Sequence, residues 1–561
     1  MSGPPERPTY AGPGPDPAAP TQVYRAGVEA PPAPAGVPSV VGDLTPELVA
    51  TDIWTDEMVR RAGIPIIDTK FVTVGGGIGS FVTTDFLRLY GVPASNITVL
   101  TQLDTPWSSY EYLTRVSQIP RAERLRSDSA STPDNIWGFP SYAVREAFGA
   151  KSVGDFVKPL WNVMTEPILA DYYTPKAGQA FETMEREYKR IGYQQCVRKG
   201  QVRMVRRRRE GGYFTILTPP AGATPTRRLA YRSPYVHVAI GYPGLKLLPD
   251  LQRYREYYRD PSKVVNAYEP HEHVYEQLRR RPGTVVIRGG GIVASRVLQR
   301  LVDDRDKSGL QTQIVHLFRT YVTGAHGPNV FSRRKGGDGW AYQGFNYPKS
   351  VWGGQLKAKV RNLEGEERAA AYKEMGGTNT PVRRLWQSQL KRGRAEGWYR
   401  TVVGEVKELQ PGPQGRGVVT FLRPTQGPPP AGTTPLTPGR NGLAEITADF
   451  VIDCTGLEAD IREHRVLADL LDHSGAGRNP VGRLDVDTTF EVIGTRSQPG
   501  RMYASGSATL GGPFPGVDTF LGLQIAAQEI CDDLAKLGFG KPIGPVQSAR
   551  QWWRWARNKQ I

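Results

Sequence analysis

Two stretches of this chain say the same thing. Residues 71–81 read FVTVGGGIGSF, and residues 285–295 read VVIRGGGIVAS. Each apolar run drives into three glycines, continues as an amphipathic stretch (FVTTDFLRLYG, VASRVLQRLVDD) and is followed by a second apolar run (ITVLT, QIVHLF). Strand, helix and strand in that order imply parallel pairing through a helical crossover. The turns constrain the chain further. Gly75 and Gly289 let it leave a strand and enter a helix at once. Gly77 and Gly291 carry no Cβ, so backbone can approach a pyrophosphate. Ser80, with Gly79 just before it, and Ala294 are small enough for helix and strand to pack closely. The helix N-terminus then offers unpaired N–H groups and a partial positive charge. One such cluster is as readily a structural turn. Two in the same context predict an α/β chain with two Rossmann-like dinucleotide-binding units.

The 561 residues are too many for one ordinary core, so two or three packed units are expected. Hydrophobic content of 39% and charged content of 23% fit a soluble globular protein. No run approaches the roughly 20 apolar residues of a membrane-spanning helix. The N-terminus lacks the basic-then-apolar pattern of a secretory signal. Cys196, Cys454 and Cys531 lie far apart and form no CxxC, which argues against a dithiol redox centre or a zinc knuckle and fits a reducing cytoplasm. The formal charge of +17 favours anionic partners: nucleotide cofactors, nucleic acid or an acidic membrane surface. The arginine runs 206–209 and 279–281 read as solvated edges flanking strands. A nucleic-acid footprint would want aromatic residues interleaved on one face, so nucleic acid is not the expected partner.

Residues 1–42 are rich in Pro, Gly and Ala and are expected to be disordered. Order should begin with TPELVATDIWTDEMVRRAG, a helix capped by Thr45, with Pro46 at its first position and Gly63 closing it. Residues 424–442 read as a loop between strands. Strand signals end in glycine turns at RSPYVHVAIGYPG and, after the second unit, at ITADFVIDCTG. Near the end, GRMYASGSATLGGPFPGVDTFLGLQIAAQEICDDLAKLG predicts a strand, a glycine loop and a long helix from about Val517. In the tail SARQWWRWARNKQI, three tryptophans among arginines suit a membrane interface, and equally suit packing on the domain surface or a second subunit.

Taken in order over roughly residues 70–538, these motifs resemble the two-dinucleotide-binding-domain flavoproteins, in particular the flavin-containing and N-hydroxylating monooxygenases. GGGIGS looks like the FAD phosphate loop and GGGIVAS like the NADPH loop. VAIGYPG resembles the strand-to-hinge motif ATG-x-P through Ala239, Gly241 and Pro243. VIDCTG resembles the second ATG motif, with Cys454 for Ala and ending in Gly456. HEHVY is similar to His-Ser-x-x-Tyr, with Glu272 for Ser. MYASGSA resembles the Gly-Asp motif that contacts the FAD ribityl chain, here Gly506-Ser507. The resemblance implies an NAD(P) domain inserted in a split FAD domain. Residues 43–245 and 396–540 would form the FAD domain. Residues 246–395 would form the NADP domain with an added segment 321–395, leaving a tail at 541–561. It also implies an oxidoreductase taking hydride from NADPH to FAD. Electrons would pass to oxygen, hydroxylating an amine or another soft nucleophile on a small molecule, or to a quinone-like acceptor.

Departures from that pattern fall at cofactor positions. The strand end where such folds carry a ribose-binding carboxylate holds Thr101 and Gln102, and Ser507 replaces the Asp of Gly-Asp. Each lost charge-assisted hydrogen bond is worth about 1.5–3 kcal/mol. A flavoprotein-derived nucleotide-binding or scaffold protein is therefore an alternative, as is an RNA-acting flavoprotein. On the nicotinamide side Ala294 accompanies NADP, and Arg319, after QIVHLF, can pair with a 2′-phosphate or be an ordinary surface residue. A helix starting near Val517 could point its N-terminus at the flavin pyrimidine edge or be a plain core helix. No catalytic base is identified. His271 and His273 lack a third metal ligand, so His271 reads as a cofactor-pocket or packing residue.

Overall fold

A computed structural model describes residues 42–125, 127–168, 173–224, 226–245, 247–325, 336–342, 351–375, 384–425, 427–439, 441–457 and 460–561. The first 41 residues, expected to be disordered, lie outside that set, as does much of the segment 326–350.

Three of the four sheets among the described residues organise the chain; the fourth is the short pair Gly336–Gly337 and Trp340–Ala341. The first has five parallel strands in the order Arg501–Ala504, Tyr235–Val238, Phe71–Val74, Ile97–Thr101 and Val197–Lys199. Its central strand FVTV is buried at every position, as a parallel strand covered on both faces must be. Helix Ile78–Leu89 follows it and packs against helix Phe520–Lys536 near the end of the chain.

The second sheet has seven strands. Val264–Asn266, Phe450–Asp453, Thr284–Arg288, Gln313–Phe318 and Tyr399–Pro411 are parallel. Val418–Pro424 and Ala444–Ala448 extend the sheet as an antiparallel meander. The sheet is inserted in sequence between the Tyr235–Val238 and Arg501–Ala504 strands of the first. The stretch 396–540 does not stay together. Its strands from Tyr399 to Asp453 join the second sheet, and only Arg501–Ala504 and helix Phe520–Lys536 return to the first. Pairing of Tyr399–Val403 beside Ile314–Phe318 draws this segment across.

The third sheet orders Ile53–Trp54, Gln201–Arg208, Tyr213–Thr218, Leu229–Ser233 and Ile66–Asp68. It corrects the expected first helix. Thr45 does cap a helix with Pro46 in its first turn, but that helix is only Pro46–Ala50. Ile53–Trp54 then pairs with Arg207–Arg208, and a second helix, Asp56–Arg61, starts from its own cap at Thr55. Trp54 is fully buried in the sheet's apolar cluster, and that burial breaks the helix in two.

The 206–209 arginine run is not a solvated edge throughout. Arg206 is buried, paired with Asp469 and donating to the Thr51 and Val49 carbonyls, both at 3.1 Å. Arg208 grips Asp56 with two bonds of 2.6 and 2.9 Å.

Candidate functional site

The two glycine turns make corresponding hydrogen bonds. The Gly75 amide donates to the Leu100 carbonyl at 3.0 Å, and the Gly289 amide to the Leu317 carbonyl at 3.2 Å. The Ala239 amide donates to the Val74 carbonyl at 2.9 Å, and the Cys454 amide to the Arg288 carbonyl at 2.7 Å. Each turn is thus wedged between a parallel neighbour on one side and a strand-to-hinge motif on the other. Both first glycines have positive φ, +96° at Gly75 and +119° at Gly289, a region that side chains avoid. A Cβ there would stand 2.5 Å from the Ala239 carbonyl oxygen and 2.8 Å from that of Cys454.

The third glycines behave differently. Gly77 and Gly291 are the N-caps of helices Ile78–Leu89 and Ile292–Ser308, neither has a side-chain cap, and a Cβ on either would meet nothing within 4 Å. Open space therefore lies at each uncapped helix start, where N–H groups and the helix dipole favour an anion. The hinge glycines Gly241 (φ +77°) and Gly456 (φ +131°) also border open space.

Under each mouth the protein has packed itself shut. A Cβ on Gly76 would fall 2.5 Å from Thr101, and one on Gly290 3.2 Å from Phe318. Gly79 lies against Ser505 Oγ and Leu523. Ser80 and Ala294 are fully buried, and Ser80 shares a 2.9 Å hydrogen bond with Tyr193. They pack helix to sheet and do not face the mouths. The Thr101 hydroxyl accepts from the Leu103 amide at 3.0 Å, whereas Gln102 is exposed at the strand end. Arg319 is exposed at the matching end of the second unit. Val517 is buried, ahead of the helix: that helix starts at Phe520, and Thr519 caps it by accepting from the Gly522 amide at 3.1 Å. The turn before the helix lies so close to it that a Cβ on Gly522 would strike the Gly516 carbonyl oxygen, so only glycine fits there.

Several residues not singled out in the sequence support the two mouths. Below the first, His237 Nε2 and Ser505 Oγ share a 2.8 Å bond. Below the second, His316 Nε2 donates to the Gly289 carbonyl at 2.6 Å, so its Nδ1 accepts from the Tyr399 hydroxyl at 2.9 Å. Burial pushes both imidazoles down to about 3, so both are neutral. Tyr242, beside Gly241, donates to Asp518 at 2.8 Å, tying the first hinge to the start of the last long helix. Gln524 on that helix donates to the Thr132 and Asn135 carbonyls at 2.9 and 3.1 Å. From the inserted segment, the Tyr372 hydroxyl lies 2.9 Å from the Gly512 carbonyl and 2.6 Å from that of Phe514. A strand of alternating apolar residues with one His, as in YVHV, is the only trace of these contacts in the sequence.

His271 is a packing residue. It is buried, its Nδ1 donates to the Glu269 carbonyl at 2.7 Å, and its Nε2 accepts from Tyr275 at 3.0 Å. Burial pushes it down to about 4. His273 turns away to the Ser262 carbonyl, and no group of three metal-ligating side chains occurs among the described residues. The three cysteines are buried and unpaired, and burial pushes the Cys196 thiol up to about 11. Beside the second hinge, burial also raises the Asp453 carboxyl to about 6, against the downward pull of Arg288.

The residues present fit two dinucleotides. Each mouth combines a Cβ-free approach, an uncapped helix start and a Cβ-free hinge. At the first, Ser507 Oγ is in addition buried without a hydrogen-bond partner, beside Gly506 at φ +79°.

Architecture and mouths together define an α/β fold with two dinucleotide-type βαβ units. Among solved structures, the chain is similar to an ornithine hydroxylase from Pseudomonas aeruginosa, at 16% identity and a TM-score of 0.57 over 84% of this chain and 100% of that one. It is similar to the ornithine N-hydroxylase of Kutzneria sp. 744, solved with reduced FAD, NADP+ and L-ornithine, at 14% identity and a TM-score of 0.57 over 84% and 99%. It is also similar to an FAD-bound cadaverine monooxygenase from Erwinia amylovora, at 12% identity and a TM-score of 0.56 over 83% and 95%. No protein-family model and no curated protein sequence matches the chain.

Proposed function

We propose that this protein is an FAD-dependent N-hydroxylating monooxygenase, using NADPH and O2 to convert a small primary amine to its hydroxylamine. The balance is amine, O2, NADPH and a proton giving hydroxylamine, NADP+ and water. The observation that carries the reading is the bond-for-bond equivalence of the Gly75–Gly77 and Gly289–Gly291 turns, each with its own hinge glycine. The choice of an amine rests on the similar structures, which act on ornithine and cadaverine by their descriptions.

In this reading FAD, when bound, supplies the two-electron chemistry and the activation of oxygen. The chain's own residues hold and orient. Gly77 and the first amides of helix Ile78–Leu89 take the FAD diphosphate. Ser507 Oγ and Gln102 bond sugar hydroxyls where relatives of this fold use carboxylates. Gly291 and helix Ile292–Ser308 take the NADPH diphosphate, and Arg319 pairs with its 2′-phosphate. The FAD unit then comprises the first sheet with helix Phe520–Lys536, and the NADP unit spans Val264 to Asp453.

The test is the absorbance spectrum of the purified protein, followed by NADPH oxidation in air with ornithine, lysine and cadaverine. A yellow protein that forms hydroxylamine from one of them fits the proposal. Colourless protein that takes up no added FAD would leave a nucleotide-binding scaffold. Yellow protein that reduces quinones and hydroxylates no amine would keep the cofactors and remove the monooxygenase.

A further inference from the structure

Helix Val153–Thr165 is turned inside out. In Val153–Thr165, VGDFVKPLWNVMT, apolar residues recur at 153, 156, 157, 160, 161 and 164, the spacing of a single helical face. Such a face normally covers a core. Here Val153 is 80% exposed, Trp161 60% and Met164 75%, while Pro159 on the other side is buried. The stripe runs on past the helix to Ile168, and sideways to Phe148, which is 76% exposed and meets Phe156 edge-on at 5.6 Å. Phe148 ends helix Ser141–Phe148, and just before that helix Phe139 packs on Trp552 of the C-terminal helix Pro545–Ala556.

Two of the three tail tryptophans are engaged with the protein: Trp552 with Phe139, and Trp555 through its indole N–H to the Asp134 carbonyl at 2.9 Å. Trp553 is left half-exposed, and it shares the outer face of its helix with Val546, Arg550 and Arg557.

The charges around this apolar surface are predominantly basic. From Pro545 to Ile561 the chain has four basic residues and no acidic one. In the hairpin, Asp155 is bonded by Ser152, and Glu146 by Arg124 and Tyr173. No ion pair engages Lys151 or Lys158 among the described residues, and both border a cavity of about 420 Å³ beside the helix, where three cations (with Arg124) outnumber the carboxylates of Glu146 and Asp155. A second copy of the chain meeting this face through a twofold axis would bring two cationic excesses together. An anionic bilayer satisfies both components: the apolar stripe enters the acyl boundary, and the cations meet lipid phosphates.

We propose that the hairpin of helices Ser141–Phe148 and Val153–Thr165, with the adjoining C-terminal helix, docks the protein on an anionic membrane surface. This does not depend on the redox reading.

The experiment is flotation of the full-length protein with vesicles of phosphatidylcholine alone or with roughly 30 mol% phosphatidylglycerol, beside sedimentation analysis without lipid. Wild type should bind the anionic vesicles at least about 10-fold better than the neutral ones, and lose that binding in about 0.5 M NaCl. Trp161→Asp combined with Met164→Asp should cut binding by about 10-fold or more while melting temperature is unchanged, because both side chains already face water. Trp553→Asp gives a second, independent reduction. The proposal is overturned by any of three results: no binding to anionic vesicles, binding that survives both sets of substitutions, or a wild-type dimer that the Trp161/Met164 pair converts to monomer.

Discussion

The carbonyl oxygen of Ala239 lies 2.5 Å from where a Cβ on Gly75 would be, while Gly77, two residues on, has nothing within 4 Å of that position. Two glycines in one turn are therefore glycine for opposite reasons. Gly75→Ala adds a clash to an unfavourable φ, and should destabilise the protein by about 1–3 kcal/mol with or without cofactor. Gly77→Ala should leave the melting temperature of the cofactor-free protein unchanged and lower FAD retention, read as the ratio of 450 nm to 280 nm absorbance. Equal melting loss in both variants would contradict this division. Gly291→Ala should repeat the Gly77 result for NADPH, with FAD retained.

The Thr101 hydroxyl already accepts from the Leu103 amide, and Thr101 itself lies beneath Gly76. Exposed Gln102 is thus the residue free to meet a ribose. Gln102→Glu should tighten FAD binding by about 10-fold, the worth of one added charge-assisted bond. Fluorescence titration of the stripped protein measures it, and an unchanged or weaker affinity would place the ribose elsewhere.

Tyr372 reaches from the inserted segment to the Gly512 and Phe514 carbonyls, in the loop that precedes helix Phe520–Lys536. Tyr372→Phe removes one donor from a buried pair of acceptors and should cost about 1–3 kcal/mol. If the loop borders the substrate, the KM for the amine should rise while FAD affinity stays constant. A melting change with steady kinetics would make the contact structural only.

Asp453 is buried, and its folded value of about 6 exceeds the model-compound value of 3.8. A carboxyl raised on folding contributes stability that is fully present below 3.8 and lost as pH rises through about 6. Above that window the folded protein carries the cost of an ionised, desolvated carboxylate, on the order of 2–3 kcal/mol. Asp453→Asn should therefore raise the melting temperature at pH 7–8 by a few degrees and give no gain at pH 4. A difference independent of pH would mean that Asp453 is not the group titrating.

The sequence by itself determined the two βαβ units, the first and third glycine of each turn, and both hinge glycines. Those features are local. A backbone that must turn at positive φ, and a helix start that must stay uncapped and uncovered, exclude other residues within a few positions of the chain. The loop between Pro424 and Ala444 was legible for the same reason. Only the tertiary structure decided that the strands from Tyr399 to Asp453 join the second sheet, that Trp54 splits the first helix, that Arg206 is buried against Asp469, and that Val517 is core while Thr519 caps the helix. It also decided that the apolar stripe from Val153 to Ile168 faces water, which periodicity alone would have turned inward. In each case the deciding partner lies far away in sequence. A strand's neighbours and the face a helix buries are set by which surfaces remain when the rest of the chain has packed, and short-range pattern carries no information about that.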